Sequence, residues 1–151
     1  KHVKPKSFLD LFGGSGALSK LAYIRGARKI TYVDLYPEAA ILNLKRSIKI
    51  EIIKGDAMNF LRFGQHDVVV ADPPREMIDE LLKRIGDLRK IFRKICLIWI
   101  GDVDELEKRS FFFRNRRMME IVRVWGDCFA VLWKPGFKDI VKHVKEILEY
   151  S

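Results

Sequence analysis

The feature that most restricts the fold of this chain is the alternation of apolar, β-branched runs with segments of helical periodicity. Five such runs predict strands over residues 7–12, 29–34, 50–56, 66–72 and 95–102. Strands that alternate with helices form parallel, doubly wound α/β sheets, because each helical crossover returns the chain to the same edge of the sheet. The sequence therefore predicts an α/β fold with helices on both faces of the sheet.

The last third of the chain departs from this alternation. Residues 118–125 and 128–134 are two strand-like runs separated only by Gly126-Asp127, a dipeptide typical of a tight hairpin. The hairpin adds an antiparallel pair and completes a mostly parallel, seven-stranded sheet. This arrangement resembles the Rossmann-like, class I S-adenosylmethionine (SAM) methyltransferase fold, whereas nicotinamide-binding sheets are usually parallel throughout. The predicted helices cover roughly 17–26, 37–48, 57–63, 76–92 (interrupted near Gly86), 103–113 and 136–150.

Length and composition predict one domain. A chain of 151 residues is long enough for one well-buried core, so we expect a single domain over 1–151. No apolar run reaches the ~18 residues of a membrane span, and no signal-peptide pattern precedes the first strand. With Cys96 and Cys128 in apolar runs, we expect reduced thiols and a cytoplasmic protein. The net charge of +9 favours RNA as a partner, or else the charged surface of a thermophile protein.

Acids and small residues follow each of the first three predicted strands. Asp10 and the glycines of "DLFGGSG" (10–16) follow the first strand, Asp34 the second and Asp56 the third. Ligands bind at this edge of an open α/β sheet, where glycine lets the backbone pass close to a ligand. A carboxylate about twenty residues after such a loop accepts the ribose hydroxyls of NAD or SAM. The predicted cofactor-binding residues are Asp10, Phe12, Gly13, Gly14, Gly16, Asp34, Leu35, Asp56, Ala57 and Asp72.

Each of these signals has a purely structural alternative. The glycine loop also fits a tight turn, and it departs from the G-x-G-x-x-G pattern because Ser19 stands at the sixth position from Gly14. Asp34 also fits a helix-capping or solvated acid, and Asp56 fits the N-cap of the helix that follows it. Acids at three successive strand ends favour a binding site over three separate structural roles.

The fourth predicted strand ends in "VVVADPPR" (68–75). A carboxylate beside an apolar strand is costly unless it is satisfied. Pro73 and Pro74 remove two backbone donors and prevent a helix from starting at once. This strand end is therefore predicted to face a ligand.

The motifs resemble those of one methyltransferase family. Asp-Pro-Pro after the fourth strand, with a glycine loop after the first, resembles the amino-methyltransferases of nucleobases, which carry D/N/S-P-P followed by an aromatic residue. More closely, over about residues 7–134 the chain resembles the RsmD-like family, which methylates a guanine exocyclic amine in small-subunit ribosomal RNA. The resemblance rests on "LDLFGGSGAL", "VDLYPEAAILNLKRS" (with Asn43), "KGDAMNFL", "HDVVVADPP" and "VWGDCFAVLW".

The resemblance implies SAM as the cofactor and a catalytic role for Asp72, Pro73, Pro74 and Arg75. The carboxylate of Asp72 and the carbonyl of Pro73 would accept the two hydrogens of the base amine and direct its lone pair at the methyl carbon. Arg75 stands where the family has an aromatic residue that stacks on the flipped-out base. It is expected to stack in its place, to bind a phosphate, or to mark the loss of catalysis.

The predicted function is transfer of a methyl group from SAM to a base amine of RNA, with DNA adenine as a less favoured substrate. A SAM-binding pseudoenzyme that binds RNA or a partner, and a nicotinamide-dependent oxidoreductase, are the alternatives. Only six residues precede the first block, so either a protein partner supplies the family's basic N-terminal extension or the chain is an N-terminally trimmed fragment. The run "KRSFFFRNRR" (108–117) either contacts single-stranded RNA or packs its phenylalanines in the core. The three histidines predict no metal site.

Overall fold

The computed structural model describes residues 6–44, 50–62, 64–114 and 116–149 of the chain. Its strands are β1 Ser7–Leu11, β2 Lys29–Asp34, β3 Ile50–Lys54, β4 His66–Ala71, β5 Phe92–Asp102, β6 Met119–Val124 and β7 Asp127–Trp133. These seven strands form one sheet in the order β3-β2-β1-β4-β5-β7-β6. Strands β1 to β5 pair in parallel, whereas β7 pairs antiparallel to both β5 and β6. The predicted α/β sheet with a C-terminal antiparallel hairpin is confirmed.

Within the described residues, five α-helices and three short 3-10 helices connect the strands, and a sixth α-helix follows the last strand. The α-helices are α1 Ala17–Ile24, α2 Glu38–Leu44, α3 Ile78–Leu82, α4 Ile85–Ile91, α5 Val103–Leu106 and α6 Lys138–Glu149. The 3-10 helices cover Ala57–Phe60, Arg75–Met77 and Glu107–Phe112. None of the helices within the described ranges is long and apolar enough to cross a membrane.

Both faces of the sheet are covered by apolar side chains. On one face, α3 and α4 pack against the central strands β1, β4 and β5 in the largest buried cluster. On the other face, α1 packs beside Phe8 and Ile30, and α6 packs beside β6 and β7. The sulfur atoms of Cys96 and Cys128 are buried and free of disulfides, as predicted. This packing fixes the positions of the strand ends, where the predicted site residues lie.

The helix predicted over 76–92 is interrupted at a different place from the one expected. Gly86 lies inside α4, and the break falls at Lys83 and Arg84. The Arg84 guanidinium binds the carbonyl oxygen of Met58 at 2.9 Å and the carboxylate of Asp87 at 3.0 Å. These contacts of Arg84 hold the turn. Gly86 does not break the helix, because an isolated glycine only weakens a helix.

Other element boundaries also differ from the prediction. The strand predicted over 95–102 begins at Phe92, which pairs with His66 of β4. The helix predicted over 103–113 is one α-helical turn followed by a 3-10 helix, and residues 57–60 are also 3-10. The hairpin turn consists of Trp125 and Gly126, because Asp127 already pairs with Val124 in the ladder. Residues 45–48 of the second predicted helix lie outside the described residues.

Candidate functional site

The glycine loop after β1 is shaped by close contacts on its protein side. A Cβ on Gly13 would lie 2.2 Å from Tyr32 Cε2, and one on Gly16 would lie 2.8 Å from Leu44 Cδ1. Gly14 has a φ of +55° and would place a Cβ in open space. The loop therefore packs tightly against β2 and α2 while its middle glycine faces outward, as a ligand-binding turn requires.

Phe12 precedes these glycines with a φ of +58°, which is rare for a residue with a bulky side chain. Such backbone strain costs about 1–3 kcal/mol and persists where the surrounding structure holds it, often at ligand sites. The loop is held by the hydrogen bond from Gly13 N to Val33 O (3.1 Å) and by that from Tyr32 Oη to Gly14 O (2.5 Å). The side chain of Asn43 adds a bond to Ser15 O at 2.8 Å.

Asp10 is a fully buried carboxylate at the end of β1. Its Oδ2 accepts a hydrogen bond from Ser19 Oγ at 2.7 Å, and its Oδ1 is buried with no hydrogen-bond partner among the described residues. Burial raises the pKa of Asp10 to about 6, against the opposing effect of the Ser19 hydrogen bonds, and the charges of Asp72 and Asp34 add to the rise. An unsatisfied buried oxygen is costly, and the negative charges of Asp10, Asp34 and Asp72 together favour a cationic ligand at this edge of the sheet.

Asp34 at the end of β2 holds two backbone amides. Its Oδ2 accepts from Gly14 N at 2.9 Å and its Oδ1 accepts from Tyr36 N at 2.8 Å. Each carboxylate oxygen keeps a further lone pair that can accept a ribose hydroxyl. Leu35 and Tyr36 are exposed beside it. Asp34 therefore shapes the glycine loop, and its predicted role toward a ribose stays a prediction.

Asp56 follows β3 and caps the 3-10 helix after it. Its Oδ1 accepts a hydrogen bond from Met58 N at 2.9 Å, which is the capping role that the sequence left open. Ala57 is buried, with 2% of its surface exposed. The second carboxylate oxygen of Asp56 remains available as an acceptor. Contact of Asp56 and Ala57 with an adenine therefore stays a prediction.

Asp72 continues β4 at the same edge of the sheet. Its amide donates to Leu11 O at 3.2 Å, so the residue stays aligned with β1 for one step beyond the strand. Desolvation of its carboxyl group raises the pKa of Asp72, and the negative charge of Asp127 raises it further. Pro73 is buried, and the carbonyl of Pro74 accepts from Met77 N at 2.9 Å in the first turn of a 3-10 helix. The prolines thus hold a fixed turn directly after the acid.

Arg75 is bound by protein groups. Its Nη1 lies 2.7 Å from Glu105 Oε2, and its Nη2 lies 3.2 Å from Asp102 Oδ2. Its guanidinium carbon is 5.4 Å from the centroid of the Trp99 ring, which is within the range of a cation–π contact. The two acids and the indole fix the guanidinium at the rim of the site, beside Asp72.

Sequence reasoning did not identify several residues that support the site. Ser19 donates a hydrogen bond to Asp10. The sequence feature that indicates this role is a hydroxyl residue on the buried face of α1, three residues before the buried Ala22. The partners of Arg75 lie about thirty residues away along the chain, on β5 and α5, and no local pattern announces such contacts. Within the described ranges, no group of His, Cys, Asp or Glu residues is arranged to hold a metal ion.

The strand order and the acids at the ends of β1, β2 and β4 define the class: the fold is that of the SAM-dependent methyltransferases. The model of the family described as Conserved hypothetical protein 95 matches residues 1–110. The chain belongs to that family. No curated protein matches it by sequence.

Solved structures with the same fold include several methyltransferases. The yhhF protein of Escherichia coli, described as a candidate methyltransferase, is 22% identical, with 85% of this chain and 76% of that chain covered and a TM-score of 0.64. A ribosomal protein L11 methylase from Lactobacillus delbrueckii subsp. bulgaricus is 23% identical over 87% of this chain and 72% of that chain, with a TM-score of 0.70.

A third similar structure was solved with the demethylated product of SAM. The N-methyltransferase NodS from Bradyrhizobium japonicum WM9, in complex with S-adenosyl-L-homocysteine, is 16% identical, with 87% of this chain and 79% of that chain covered and a TM-score of 0.62. At these identities the likeness concerns the fold, which agrees with the sheet order described above.

Proposed function

We propose that this protein transfers a methyl group from SAM to an exocyclic amine of a base in RNA, with guanine of ribosomal RNA as the preferred target. The observation that carries the proposal is the position of Asp72-Pro73-Pro74 at the same sheet edge as Asp10 and Asp34, close enough for the charges of Asp72 and Asp34 to raise the pKa of Asp10. The resemblance of these blocks to the RsmD-like family supports the choice of substrate.

The residues at the strand ends fit SAM. Its sulfonium and ammonium are cations, and the orphaned oxygen of Asp10 lies in a cluster of three carboxylates that favours a positive ligand. The outward-facing Gly14 leaves room for a ligand next to the backbone. When bound, SAM supplies an electrophilic methyl group on sulfur, which needs an acceptor nitrogen held in line with it.

Asp72 and the prolines hold the acceptor nitrogen and direct its lone pair. The lone pair of an exocyclic base amine is delocalised into the ring, so the free amine is a weak nucleophile. A carboxylate and a fixed carbonyl that accept its two hydrogens favour a pyramidal nitrogen with its lone pair directed at the methyl carbon. The raised pKa of Asp72 also suits it to accept the proton that the methylated nitrogen releases.

RNA as the substrate class is supported by charge. The chain carries 29 Lys and Arg residues against 20 Asp and Glu residues, a net charge of +9. Cations that neutralise phosphates release counterions, and this release drives much of the binding of proteins to nucleic acids.

Transfer of a labelled methyl group tests the proposal. The purified protein is incubated with labelled SAM and with small ribosomal subunits, naked ribosomal RNA or duplex DNA from cells that lack base methylation. We expect label in RNA that is released as a methylated guanine nucleoside on digestion. Label only in DNA adenine would replace RNA by DNA as the substrate, and SAM binding without transfer to any nucleic acid would reject the enzymatic proposal.

A SAM-binding pseudoenzyme is the second candidate, and the contacts of Arg75 favour it. The position that carries the base-stacking aromatic residue in the resembling family holds a guanidinium already bound to Asp102 and Glu105. In this second candidate the chain binds SAM and RNA without transfer. The labelled-methyl experiment separates the two candidates.

A further inference from the structure

We propose that Trp125 and the groove beside it bind the single-stranded RNA that flanks the methylated base. We call this groove, which lies between residues 103–114 and β6, the hairpin groove. The inference rests on the proposed function and adds to it the surface that holds the substrate. Trp125 stacks on a base, and the cations of the hairpin groove hold the neighbouring phosphates.

The backbone at Trp125 is held in an unfavourable conformation. Its φ is +61°, and the hydrogen bond from Gly126 N to Val124 O at 2.9 Å closes a three-residue turn around it. A γ-turn with positive φ is rare and strained, and a left-handed conformation costs a residue with a Cβ about 1–2 kcal/mol. Glycine is available at the next position, yet it is the tryptophan that takes the positive φ. Strain of this kind points to a functional demand on the side chain.

The side chain of Trp125 makes little use of the protein interior. The residue is 90% exposed, whereas Trp99 is half-buried and Trp133 is buried. The backbone of Trp125 is strained and its large aromatic side chain is solvated. The side chain therefore contributes almost no burial energy to the fold. Its exposed ring is suited to stacking on a base, an interaction that tolerates any base because every base has a π-face.

The turn that carries Trp125 is fixed next to the proposed catalytic acid. Val103 N donates to Gly126 O at 2.9 Å, and Trp99 Nε1 donates to Asp127 Oδ1 at 3.0 Å. Both contacts attach the hairpin to the C-terminal end of β5, the strand that pairs with β4. Asp127 is also close enough to Asp72 for its charge to raise the pKa of that acid. The turn that carries Trp125 therefore lies at the edge of the sheet that would receive the target base.

The hairpin groove extends from this rim and has the chemistry of a strand-binding surface. It encloses about 640 Å³ between α5, the 3-10 helix after it and β6. Leu106, Phe113 and Ile121 give it an apolar floor, and Arg114 and Arg123 add two exposed cations against the single acid Glu107. Apolar surface for bases beside cations for phosphates is the combination that single-strand binding proteins use.

The run 108–117 takes part in this surface with only some of its residues. Phe112 is buried in the core, and Arg109 is bound to Asp79 at 2.9 Å with 11% of its side chain exposed. Phe113 and Arg114 line the hairpin groove, and Phe111 is 62% exposed on the other side of the segment. Packing in the core is therefore confirmed for Phe112, and contact with RNA is proposed for Phe113 and Arg114.

Arg75 leaves the stacking role open for another residue. Its guanidinium is bound to Asp102 and Glu105 and lies against the Trp99 ring. An arginine with two carboxylate partners is electrically compensated, and releasing it for a base would cost those contacts. Trp125 supplies an aromatic face near the same edge of the sheet, for a base that flanks the target, at no such cost.

Two substitutions at position 125 test the inference. Trp125→Gly removes the ring and relieves the positive φ, so we expect affinity for a short single-stranded RNA to fall about fivefold to a hundredfold. The midpoint of thermal unfolding is expected to rise by about 1–3 °C, because glycine adopts this conformation freely. Trp125→Phe keeps a stacking ring and is expected to keep most of the affinity. In the wild type we expect RNA to quench the fluorescence of the exposed tryptophan, and this quenching should be absent in Trp125→Phe.

The control is Tyr23→Ala, which removes an aromatic side chain that is 38% exposed on α1. This variant is expected to bind RNA as the wild type does, and all variants are expected to bind SAM unchanged in calorimetry. Wild-type affinity in Trp125→Gly, or equal losses in the Gly and Phe variants, would overturn the stacking role while leaving the proposed function intact. Absence of RNA binding by the wild type would reject RNA as the substrate, and with it this inference. If the hairpin groove binds a protein from the same cells and RNA does not compete with that binding, the surface is assigned to a protein partner instead.

Discussion

Ser19 Oγ donates a 2.7 Å hydrogen bond to Asp10 Oδ2, and it satisfies only one oxygen of a carboxylate that is completely buried. We expect the negative charge of this carboxylate to favour a cationic ligand at the ends of the strands. Burial, opposed by Ser19 and assisted by the charges of Asp72 and Asp34, holds the pKa of this acid at about 6. We therefore expect ligand affinity and protein stability to depend on pH in opposite directions.

The first prediction is that SAM affinity rises with pH between about pH 5 and pH 7, because the ionised form of Asp10 binds a cation better. Below a pKa of about 6 the affinity should fall by up to about tenfold per pH unit. The ligand-free protein behaves in the opposite way. The folded pKa exceeds the unfolded value of 3.8, so the contribution of Asp10 to stability is present below that value and is lost as the pH rises through 6.

Calorimetric titrations with SAM and thermal unfolding over this pH range measure both slopes. Asp10→Asn is expected to flatten both curves, whereas Asp104→Asn, at an exposed position on α5, should leave them unchanged. A SAM affinity that is independent of pH in the wild type would place Asp10 away from the charged groups of the ligand.

The second prediction concerns Asp34. Asp34→Ala is expected to weaken SAM binding about tenfold or more, because a hydrogen bond to a charged group contributes roughly 1.5–3 kcal/mol. The same change removes the acceptor of Gly14 N and Tyr36 N, so the free energy of unfolding is expected to fall by roughly 1 kcal/mol.

The matched control is Glu38→Ala, which removes an exposed carboxylate four residues away whose partner is Lys54 at 3.7 Å. It should leave SAM affinity at the wild-type value in calorimetry. Unchanged affinity in Asp34→Ala would move the ribose site away from the end of β2.

The third prediction concerns Asp72, which acts on the acceptor and not on the cofactor in the proposed mechanism. Asp72→Ala is expected to abolish methyl transfer while SAM affinity changes less than about threefold, because the lost interaction forms only in the transition state. Asp72→Asn keeps one oxygen acceptor and should retain part of the activity. Transfer rates and SAM calorimetry on the same preparations give the two readouts, and an active Asp72→Ala protein would refute the mechanism.

The fourth prediction separates the possible roles of Arg75. If its contacts with Asp102 and Glu105 are what matter, Arg75→Lys should keep most of the activity and Arg75→Tyr should lose it. If the position serves stacking on the base, Arg75→Tyr should preserve or raise activity, because tyrosine stacks but cannot pair with two acids. We expect the first pattern, measured as kcat and KM for RNA.

The fifth prediction is that RNA affinity falls steeply with salt. Each phosphate contact to single-stranded RNA should contribute a slope of about −0.7 in a plot of log affinity against log salt concentration. Joint replacement of Arg114 and Arg123 by alanine should reduce the slope by about 1.4 if both contact phosphates. Filter binding at several salt concentrations measures it, and an unchanged slope in the double variant would place the phosphate contacts elsewhere on the surface.

Local sequence patterns predicted the sheet and the acids of the site well. The β-branched run over 29–34 became β2 with the predicted bounds, and Asp10, Asp34 and Asp72 lie at strand ends as the periodicity required. These features depend on residues close together in sequence. A strand needs only its own apolar run, and its last residue then lies at the ligand edge of the sheet.

Features that depend on distant contacts were not predictable in this way. The hairpin turn was expected at Gly126-Asp127 because glycine is the usual residue with positive φ, but Trp125 takes that conformation in the structure. The break between α3 and α4 depends on Arg84 reaching Met58, 26 residues earlier. The environment of Arg75 likewise arises from acids on β5 and α5, which the sheet brings near the end of β4.

The strand order has a consequence for the synthesis of this protein. β1 lies between β2 and β4, so it acquires both neighbours only after residue 71 has left the ribosome. Lys6 N donates to Asp67 Oδ2 at 2.8 Å across 61 residues of sequence, and such closures are slow because a long loop must be ordered first. Asp10 and Asp72 therefore meet only after residue 72 has been synthesised. A nascent chain stalled before β4 is expected to have no affinity for SAM.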